Sequence, residues 1–253
     1  MYLKVLKFFV FIFFVSSFLS VKAQNTVVNS EVGVLLGPTF FQGDYGEAGN
    51  FKSATANVGM GFEFAYVMDF SDSRYISKFF QNLADHVKGR LQLSYTKIKL
   101  KHKPIPVSNT SPQYTNFKDM YGETKIFNFG IISEIYFRSL MEKKHKLGPY
   151  ITLGVESNFA NPSVSGSSTL PTVYTTGNQK IFNKKQNALS FVYGLGTRYR
   201  LDNVDLVFEG KMHSFLSDRI EGLDPQISGD KNNDSMVSFR LGVVFRLDDR
   251  RIR

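Results

Sequence analysis

Residues 58–70 read VGMGFEFAYVMDF, and this stretch decides the fold because its side chains alternate in character without a break. The even positions, from Val58 to Phe70, are all large and apolar, whereas the odd positions are small, aliphatic or acidic. Successive side chains of a β-strand point to opposite faces, so this alternation predicts one strand between two different solvents. The stretch is longer than the roughly 9–11 residues that a membrane-spanning β-strand needs.

Seven more segments alternate in the same way, and together with residues 58–70 they predict eight strands. The segments are Glu31–Pro38, Val87–Lys99, Lys125–Arg138, Tyr150–Asn158, Ala188–Leu201, Val204–His213 and Met236–Leu247. Long polar connections at 39–57, 100–123, 159–187 and 214–235 alternate with short ones at 139–146 and 202–203. This arrangement is typical of an all-β, eight-stranded antiparallel up-and-down transmembrane β-barrel with long extracellular loops. An even strand count places both termini at the periplasmic end.

The connection at residues 71–86 is long for a periplasmic turn. Ile76, Phe79, Phe80 and Leu83 recur there at helical spacing. We therefore expect one short amphipathic helix at the periplasmic rim.

The first 23 residues have the layout of a secretory signal peptide. Lys4 and Lys7 precede an apolar run from Phe8 to Leu19, and Ala23 is a small residue at a plausible cleavage point. The run is about a dozen residues, short of the ~20 that a spanning helix requires. We expect residues 1–23 to be removed and residues 24–253 to form the barrel in the Gram-negative outer membrane.

Composition narrows the classes of partner. The chain has 31 Lys and Arg, 22 Asp and Glu and no Cys, and loss of the three lysines in residues 1–23 leaves a net charge of +6. So modest a basic excess in an exported chain argues against nucleic acid as a partner. We expect neither cofactor nor metal: Asp230, Asn232 and Asp234 begin like a calcium loop, but Ser235 and Leu241 replace the required Gly and Glu.

A secreted, soluble lipocalin-like barrel that carries a ligand is the competing interpretation. In such a barrel the apolar face points inward and the outer face is wet. Here the face with small side chains is rich in Gly, Ala and Ser, which suits a narrow filled bore. The face with large side chains carries Phe or Tyr on most strands. Those rings would overfill a small interior, so the membrane barrel is favoured.

The face opposite the aromatic one carries isolated charges, which are costly in a narrow bore unless they are paired. These residues are Glu63, Glu134, Glu156, Glu209, Arg90, Arg138, Arg198 and Arg240. We expect them to form ion pairs that plug the bore, because eight strands leave little room beyond side chains. Two pairs are predicted on neighbouring strands, Arg90 with Glu134 and Arg240 with Glu209. A gated polar channel is the alternative.

A run of lysines follows the third predicted strand. Lys97, Lys99, Lys101 and Lys103 have the lipid-facing parity and lie beyond the aromatic level at the long-loop end. Phosphates of lipopolysaccharide lie at that height and would attract them. A solvated strand extension, whose charges discourage aggregation, explains the lysines equally well.

His213 and Ser214 near the outer rim are the only hint of catalysis. Lipid-modifying barrel enzymes combine these residue types, but no acid stands at a fixed spacing from the pair. We therefore expect no enzymatic activity.

Several stretches resemble the small PorG-like outer-membrane barrels associated with type IX secretion and gliding motility. They are EVGVLLGPTFFQGDYGEAGNF at 31–51, NKKQNALSF at 183–191, GLGTRYRL at 194–201, FLSDRIEGLDP at 215–225 and DKNNDSMVSFRLGVVFRL at 230–247. The resemblance implies structural roles for Gly33, Gly37, Gly43 and Gly46, and a loop folded on itself with Ser217, Asp218, Gly222, Asn233 and Asp234.

The resemblance further implies an accessory barrel that connects the outer membrane to periplasmic type IX secretion proteins. Its periplasmic contacts would be residues 71–86, 139–146 and 250–253. The alternative role is a surface receptor or adhesin that acts through the long loops.

Overall fold

The structure is a computed structural model that describes residues 28–43, 57–71, 83–101, 121–140, 146–165, 179–181, 183–225 and 233–247. Its strands are β1 (Asn29–Gln42), β2 (Val58–Asp69), β3 (Val87–Lys101), β4 (Tyr121–Tyr136), β5 (Leu147–Ser165), β6 (Gln179–Ile181), β7 (Gln186–Arg200), β8 (Val204–Phe215), β9 (Leu223–Pro225) and β10 (Ser235–Arg246). Eight of them close into a barrel in the order β1-β10-β8-β7-β5-β4-β3-β2, and every neighbouring pair is antiparallel. The predicted eight-stranded antiparallel barrel is confirmed.

The outer surface of the barrel is apolar and its interior is polar, which is the reverse of a soluble protein. Phe62 and Phe129 on the outer surface are 52% and 43% exposed, whereas Glu63, Glu134 and Arg240 inside are at most 2% exposed. Apolar side chains on the outside of a closed barrel require hydrocarbon around them, and a closed barrel leaves no backbone polar group unpaired in lipid. The protein is therefore an outer-membrane β-barrel, and a soluble ligand carrier is excluded.

The strands extend further into the extracellular space than the sequence predicts. β4 begins at Tyr121 rather than Lys125, and β5 runs to Ser165 rather than Asn158. Tyr121 pairs with Ser165, so the hydrogen-bonded ladder continues past the apolar band. Periodicity detects a strand only where its two faces meet different solvents, but backbone pairing does not need that contrast.

Both described termini and the turn at 201–203 lie at one end of the barrel, the periplasmic end. In the predicted helical segment 71–86, Leu83 and Ala84 have helical conformation, and residues 72–82 lie outside the described residues. No helix in the described ranges is long and apolar enough to cross a membrane.

Candidate functional site

The bore of the barrel is filled by charged side chains, because the inward-facing positions of all eight strands converge on a narrow space. Its described acids are Glu31, Glu63, Asp69, Glu134, Glu156, Asp205 and Glu209, and its lysines and arginines are Lys88, Arg90, Arg198, Lys211 and Arg240. Each of these residues is at most 4% exposed. We call this set the bore network.

Arg90 of β3 is the centre of the bore network. Its Nη1 donates to Glu134 Oε1 at 3.1 Å and to Glu209 Oε2 at 2.8 Å, and its Nη2 donates to Glu209 Oε1 at 2.8 Å and also contacts Glu63. The guanidinium thus meets three carboxylates from three strands. The predicted neighbours Arg90 and Glu134 do meet, but Glu209 takes the bidentate position.

Arg198 and Lys88 hold the periplasmic end of the network. Arg198 Nη2 donates to both oxygens of Glu134 at 2.9 and 2.8 Å, and its Nη1 donates to Glu31 Oε2 at 2.6 Å. Lys88 Nζ lies 2.7 Å from Glu31 Oε1 and 3.3 Å from Asp69 Oδ2. Each charge is therefore shared, which a desolvated site requires.

Lys211 completes the middle level. Its Nζ donates to Glu63 Oε2 at 2.6 Å and to Gln92 Oε1 at 3.1 Å, and lies 2.9 Å from Glu209 Oε1. The Tyr150 hydroxyl donates to Glu209 Oε2 at 3.0 Å. Glu209 thus has contacts with Arg90, Lys211 and Tyr150, which satisfy both of its oxygens.

The predicted ion pair between Glu209 and Arg240 is wrong. The two residues are opposite each other in the β8–β10 register, but their side chains have different partners: Glu209 contacts Arg90, Lys211 and Tyr150. Arg240 Nη1 donates to the carbonyls of Gly37 and Pro38 at 3.0 and 3.1 Å and to Thr39 Oγ1 at 3.0 Å. Backbone carbonyls of β1 therefore take the place of the expected carboxylate.

Gly61 provides the space for this arrangement. A Cβ atom on Gly61 would collide with the guanidinium of Arg240 and would lie 2.8 Å from Thr96 Oγ1. Gly61 points into the bore, and the close approach of the Arg240 side chain explains why this inward-facing position is a glycine.

Arg138 is not in the bore, so its assignment to the ion-pair plug is wrong. β4 ends at Tyr136, and both Phe137 and Arg138 are exposed at the periplasmic rim. Side chains alternate between the two faces only within a strand. Beyond Tyr136, an even or odd position therefore no longer predicts whether a side chain points into the bore. Arg138 lines a shallow cavity at the rim with Tyr136, Ser139, Leu147, Gly148, Pro149 and Arg200.

Glu156 joins the network to a polar chain at its outer end, because Gln92 donates to Glu156 and accepts from Lys211. His213 Nδ1 lies 2.8 Å from Glu156 Oε2, and His213 Nε2 lies 3.1 Å from Ser238 Oγ. This Ser–His–carboxylate connectivity is that of a hydrolase triad. All three residues are at most 2% exposed, so a substrate has no access to Ser238 Oγ. Ser214 faces away from His213 on the other side of β8.

An apolar cluster closes the barrel above this chain. It consists of Phe41, Ile98, Leu100, Ile126, Ala160, Val164, Phe215, Ile220, Leu223 and Met236. Ile220 lies in the loop after β8 and Leu223 is the first residue of β9; the Thr124 hydroxyl donates to the Ile220 carbonyl at 2.9 Å. The loop backbone continues into β9, which pairs with β6.

The loop motif suggested by the resemblance lies around this cluster. The backbone N–H of Ile220 donates to Asp234 Oδ2 at 2.8 Å, and the N–H of Asp234 donates to the Ser217 carbonyl at 3.1 Å. Gly222 has a φ of 91°, which favours glycine. Asp218 is half-buried and Asn233 is exposed.

The lysine run lies on the outer surface, as its parity predicts. Lys97, Lys99 and Lys101 are exposed on β3, and Lys103 lies outside the described residues. Lys97 Nζ is 2.9 Å from Glu123 Oε2 of the neighbouring strand.

Sequence reasoning missed five of the twelve residues of the bore network, namely Glu31, Asp69, Lys88, Asp205 and Lys211. These five residues and His213 have the same inward parity as the predicted bore residues. A complete reading of that parity along each strand would have found them. Seven buried carboxylates face five buried lysines and arginines in the described bore; Arg246 at the rim contacts Asp205, and His213 contacts Glu156.

No group of three or more metal-ligating side chains with suitable geometry occurs in the part of the chain that the structure describes. Because the charged groups of the bore network are already engaged by protein groups, the arrangement is suited to closing and stiffening a barrel.

No protein-family model matches the sequence, and no curated protein matches it. Among solved structures, Ail, the attachment invasion locus protein of Yersinia pestis, is similar with 12% identity and a TM-score of 0.43, over 87% of this chain and 98% of that chain. Neisserial surface protein A is similar with 13% identity and a TM-score of 0.46, over 86% and 96%. A major outer membrane protein from Thermus thermophilus has 14% identity and a TM-score of 0.47, over 87% and 99%. Values this low support no inference about ligands or partners.

Proposed function

We propose that this protein is a sealed, non-enzymatic outer-membrane anchor whose periplasmic end binds a component of the type IX secretion machinery. The observation that carries the proposal is the bore network, in which Arg90 joins carboxylates of three strands and fills the described bore at mid-barrel. A barrel closed in this way acts through its surfaces. The type IX assignment rests on the resemblance of residues 31–51 and 194–247 to PorG-like barrels.

The periplasmic rim supports a contact with an acidic partner. Arg138 and Lys146 are exposed and Arg200 is half-buried, and the backbone N–H of Arg200 donates to the Lys146 carbonyl at 2.8 Å. These three cations therefore lie at one corner of the rim, beside the shallow cavity lined by Leu147 and Pro149. Opposite charge across an interface steers association and fixes orientation.

The partner claim is tested by affinity purification of the full-length barrel from detergent-solubilised membranes. Reversal of the two exposed corner charges in Arg138→Glu/Lys146→Glu should abolish co-purification of periplasmic secretion proteins and reduce secretion. Lys184→Glu/Lys185→Glu, on the extracellular loop, is the matched control for charge reversal. Recovery of the barrel alone from wild-type cells, with secretion intact in a deletion strain, would contradict the proposal.

The sealed bore is tested separately in planar lipid bilayers. The purified barrel should show no steady ion conductance, because buried ion pairs fill the cross-section. Stable conductance steps in the wild-type protein would instead support a gated polar channel.

A surface receptor or adhesin is the second candidate, and the pairing of β6 with β9 favours it. This small sheet pairs a segment of one extracellular loop with a segment of another. Trimming residues 102–120 and 166–178 should then abolish cell-surface binding while the barrel still folds. An anchor would keep its secretion phenotype after the same trimming.

A further inference from the structure

The outer surface of β3 and β4 carries a group of charges that the bore network does not use. Lys97, Lys99 and Lys101 of β3 and Lys125 of β4 are exposed and point outward, with Glu123 of β4 among them. We call these five residues the lysine patch. One carboxylate among four ammonium groups gives the patch a net charge of +3.

The height of the lysine patch follows from the strand register. Tyr95 pairs with Phe127, and Phe127 pairs with Phe159, so three aromatic rings form one row around the outside. The next outward pair toward the extracellular end is Lys97 with Lys125. Two residues along a strand advance about 7 Å. The patch therefore begins where the hydrocarbon layer ends and the lipid headgroups begin.

Among the described strands, the cations at this height lie on β3 and β4 alone. Lys97 pairs on its other side with Met60 of β2, and Lys125 pairs on its other side with Asn161 of β5. Neither neighbour is charged. In the part of the barrel that the structure describes, the positive charge at this height is thus a local feature of β3 and β4.

Glu123 links the two lysines closest to the membrane. Its Oε2 is 2.9 Å from Lys97 Nζ, and its Oε1 is 3.3 Å from Lys125 Nζ. Lys97 and Lys125 are directly opposite in the β3–β4 register, a position where like charges repel. Two lysines that face each other with one shared carboxylate suit an anion that binds between them.

We propose that the lysine patch binds the phosphate groups of a phosphorylated glycolipid of the outer leaflet, with the lipid A headgroup as the ligand class. Ammonium groups bind phosphate oxygens through short, charge-assisted hydrogen bonds. The lipid is favoured over free phosphate because the aromatic row of Tyr95, Phe127 and Phe159 lies directly below, where the acyl chains of a bound lipid would pack. This site does not depend on the periplasmic partner.

The test measures binding of bisphosphorylated lipid A to the full-length barrel in detergent micelles by native mass spectrometry. Each lysine near an anionic surface contributes about a five-fold gain in affinity, so Lys97→Gln/Lys125→Gln should weaken binding about 25-fold. Lys184→Gln/Lys185→Gln removes the same charge from the extracellular loop and should bind as the wild type does. Glu123→Gln should bind more tightly, because it removes the competing carboxylate.

Folding of each variant is checked by the mobility of unheated and heated samples on a gel. Equal affinity of the double patch variant and the loop control would overturn the proposal. So would equal binding of enzymatically dephosphorylated lipid A, which would assign recognition to the acyl chains alone. Displacement of the lipid by equimolar inorganic phosphate would assign the site to the free anion.

Discussion

Arg90 and Glu209 are separated by 119 residues in the chain, yet they form a bidentate ion pair with two donor–acceptor distances of 2.8 Å. Their strands, β3 and β8, lie on opposite sides of the closed barrel, with β2, β1 and β10 between them. The pair therefore spans the bore and ties two walls of the barrel together. Loss of either partner should weaken the barrel as a whole rather than one strand.

Replacement of Arg90 by methionine should destabilise the barrel by about 3–5 kcal/mol, because three buried carboxylates lose their shared cation. Urea unfolding in micelles, followed by circular dichroism, measures the change. Lys185→Met, at an exposed loop position, should stay within about 0.5 kcal/mol of the wild type. An Arg90 variant as stable as this control would show that the network adds no stability.

A double-mutant cycle should separate the observed pair from the predicted one. Arg90→Met and Glu209→Gln should couple by about 1–3 kcal/mol, because the two groups are in contact. Arg240→Met and Glu209→Gln should couple by less than about 0.5 kcal/mol, because Arg240 binds carbonyls of β1. The opposite order of the two coupling energies would restore the pairing expected from the strand register.

Gly61→Ala should cost about 1–3 kcal/mol, since the new methyl group would overlap the guanidinium of Arg240. Gly89→Ala is a matched control, because a Cβ there meets only Met68 and Phe70, both at 3.6 Å. The same unfolding assay compares the two variants. Equal losses at both positions would assign the effect to backbone propensity rather than to packing.

Ile220→Ala should loosen the extracellular end, because Ile220 is fully buried in the apolar cluster. Truncation of a buried isoleucine costs about 2–5 kcal/mol, and here the loss falls on the loop. Limited proteolysis should cut residues 216–225 faster in this variant than in Leu216→Ala, whose parent side chain is 54% exposed. Equal cleavage rates would mean that the loop is held by backbone contacts alone.

Ser238 should not react with a fluorophosphonate probe, despite its contact with His213 and the contact of His213 with Glu156. Burial of all three groups keeps the probe away from the hydroxyl. The lipid A profile of cells that carry Ser238→Ala should equal that of wild-type cells. Labelling that Ser238→Ala abolishes would reveal an active serine and contradict the non-enzymatic proposal.

The candidate site was only partly predictable. Inward parity correctly placed Glu63, Glu134 and Arg198 in the bore, because a strand of period two between lipid and a polar interior leaves no other arrangement. Parity failed at Arg138, because β4 ends two residues earlier. It also failed for the partner of Glu209, since the direction of a long side chain along the bore is set by the groups around it.

The sequence alone determined that eight strands alternate between two solvents, which face of each strand is apolar and which end carries the long loops. These properties are local, since each depends on residues close together in one segment. The tertiary structure decided which charge meets which, because Arg90 and Glu209 approach only when the barrel closes. Closure also brought Ile220 into the cluster around Ile98 and Ile126. Contacts across a bore join strands that are distant in the chain, and no period within one strand encodes them.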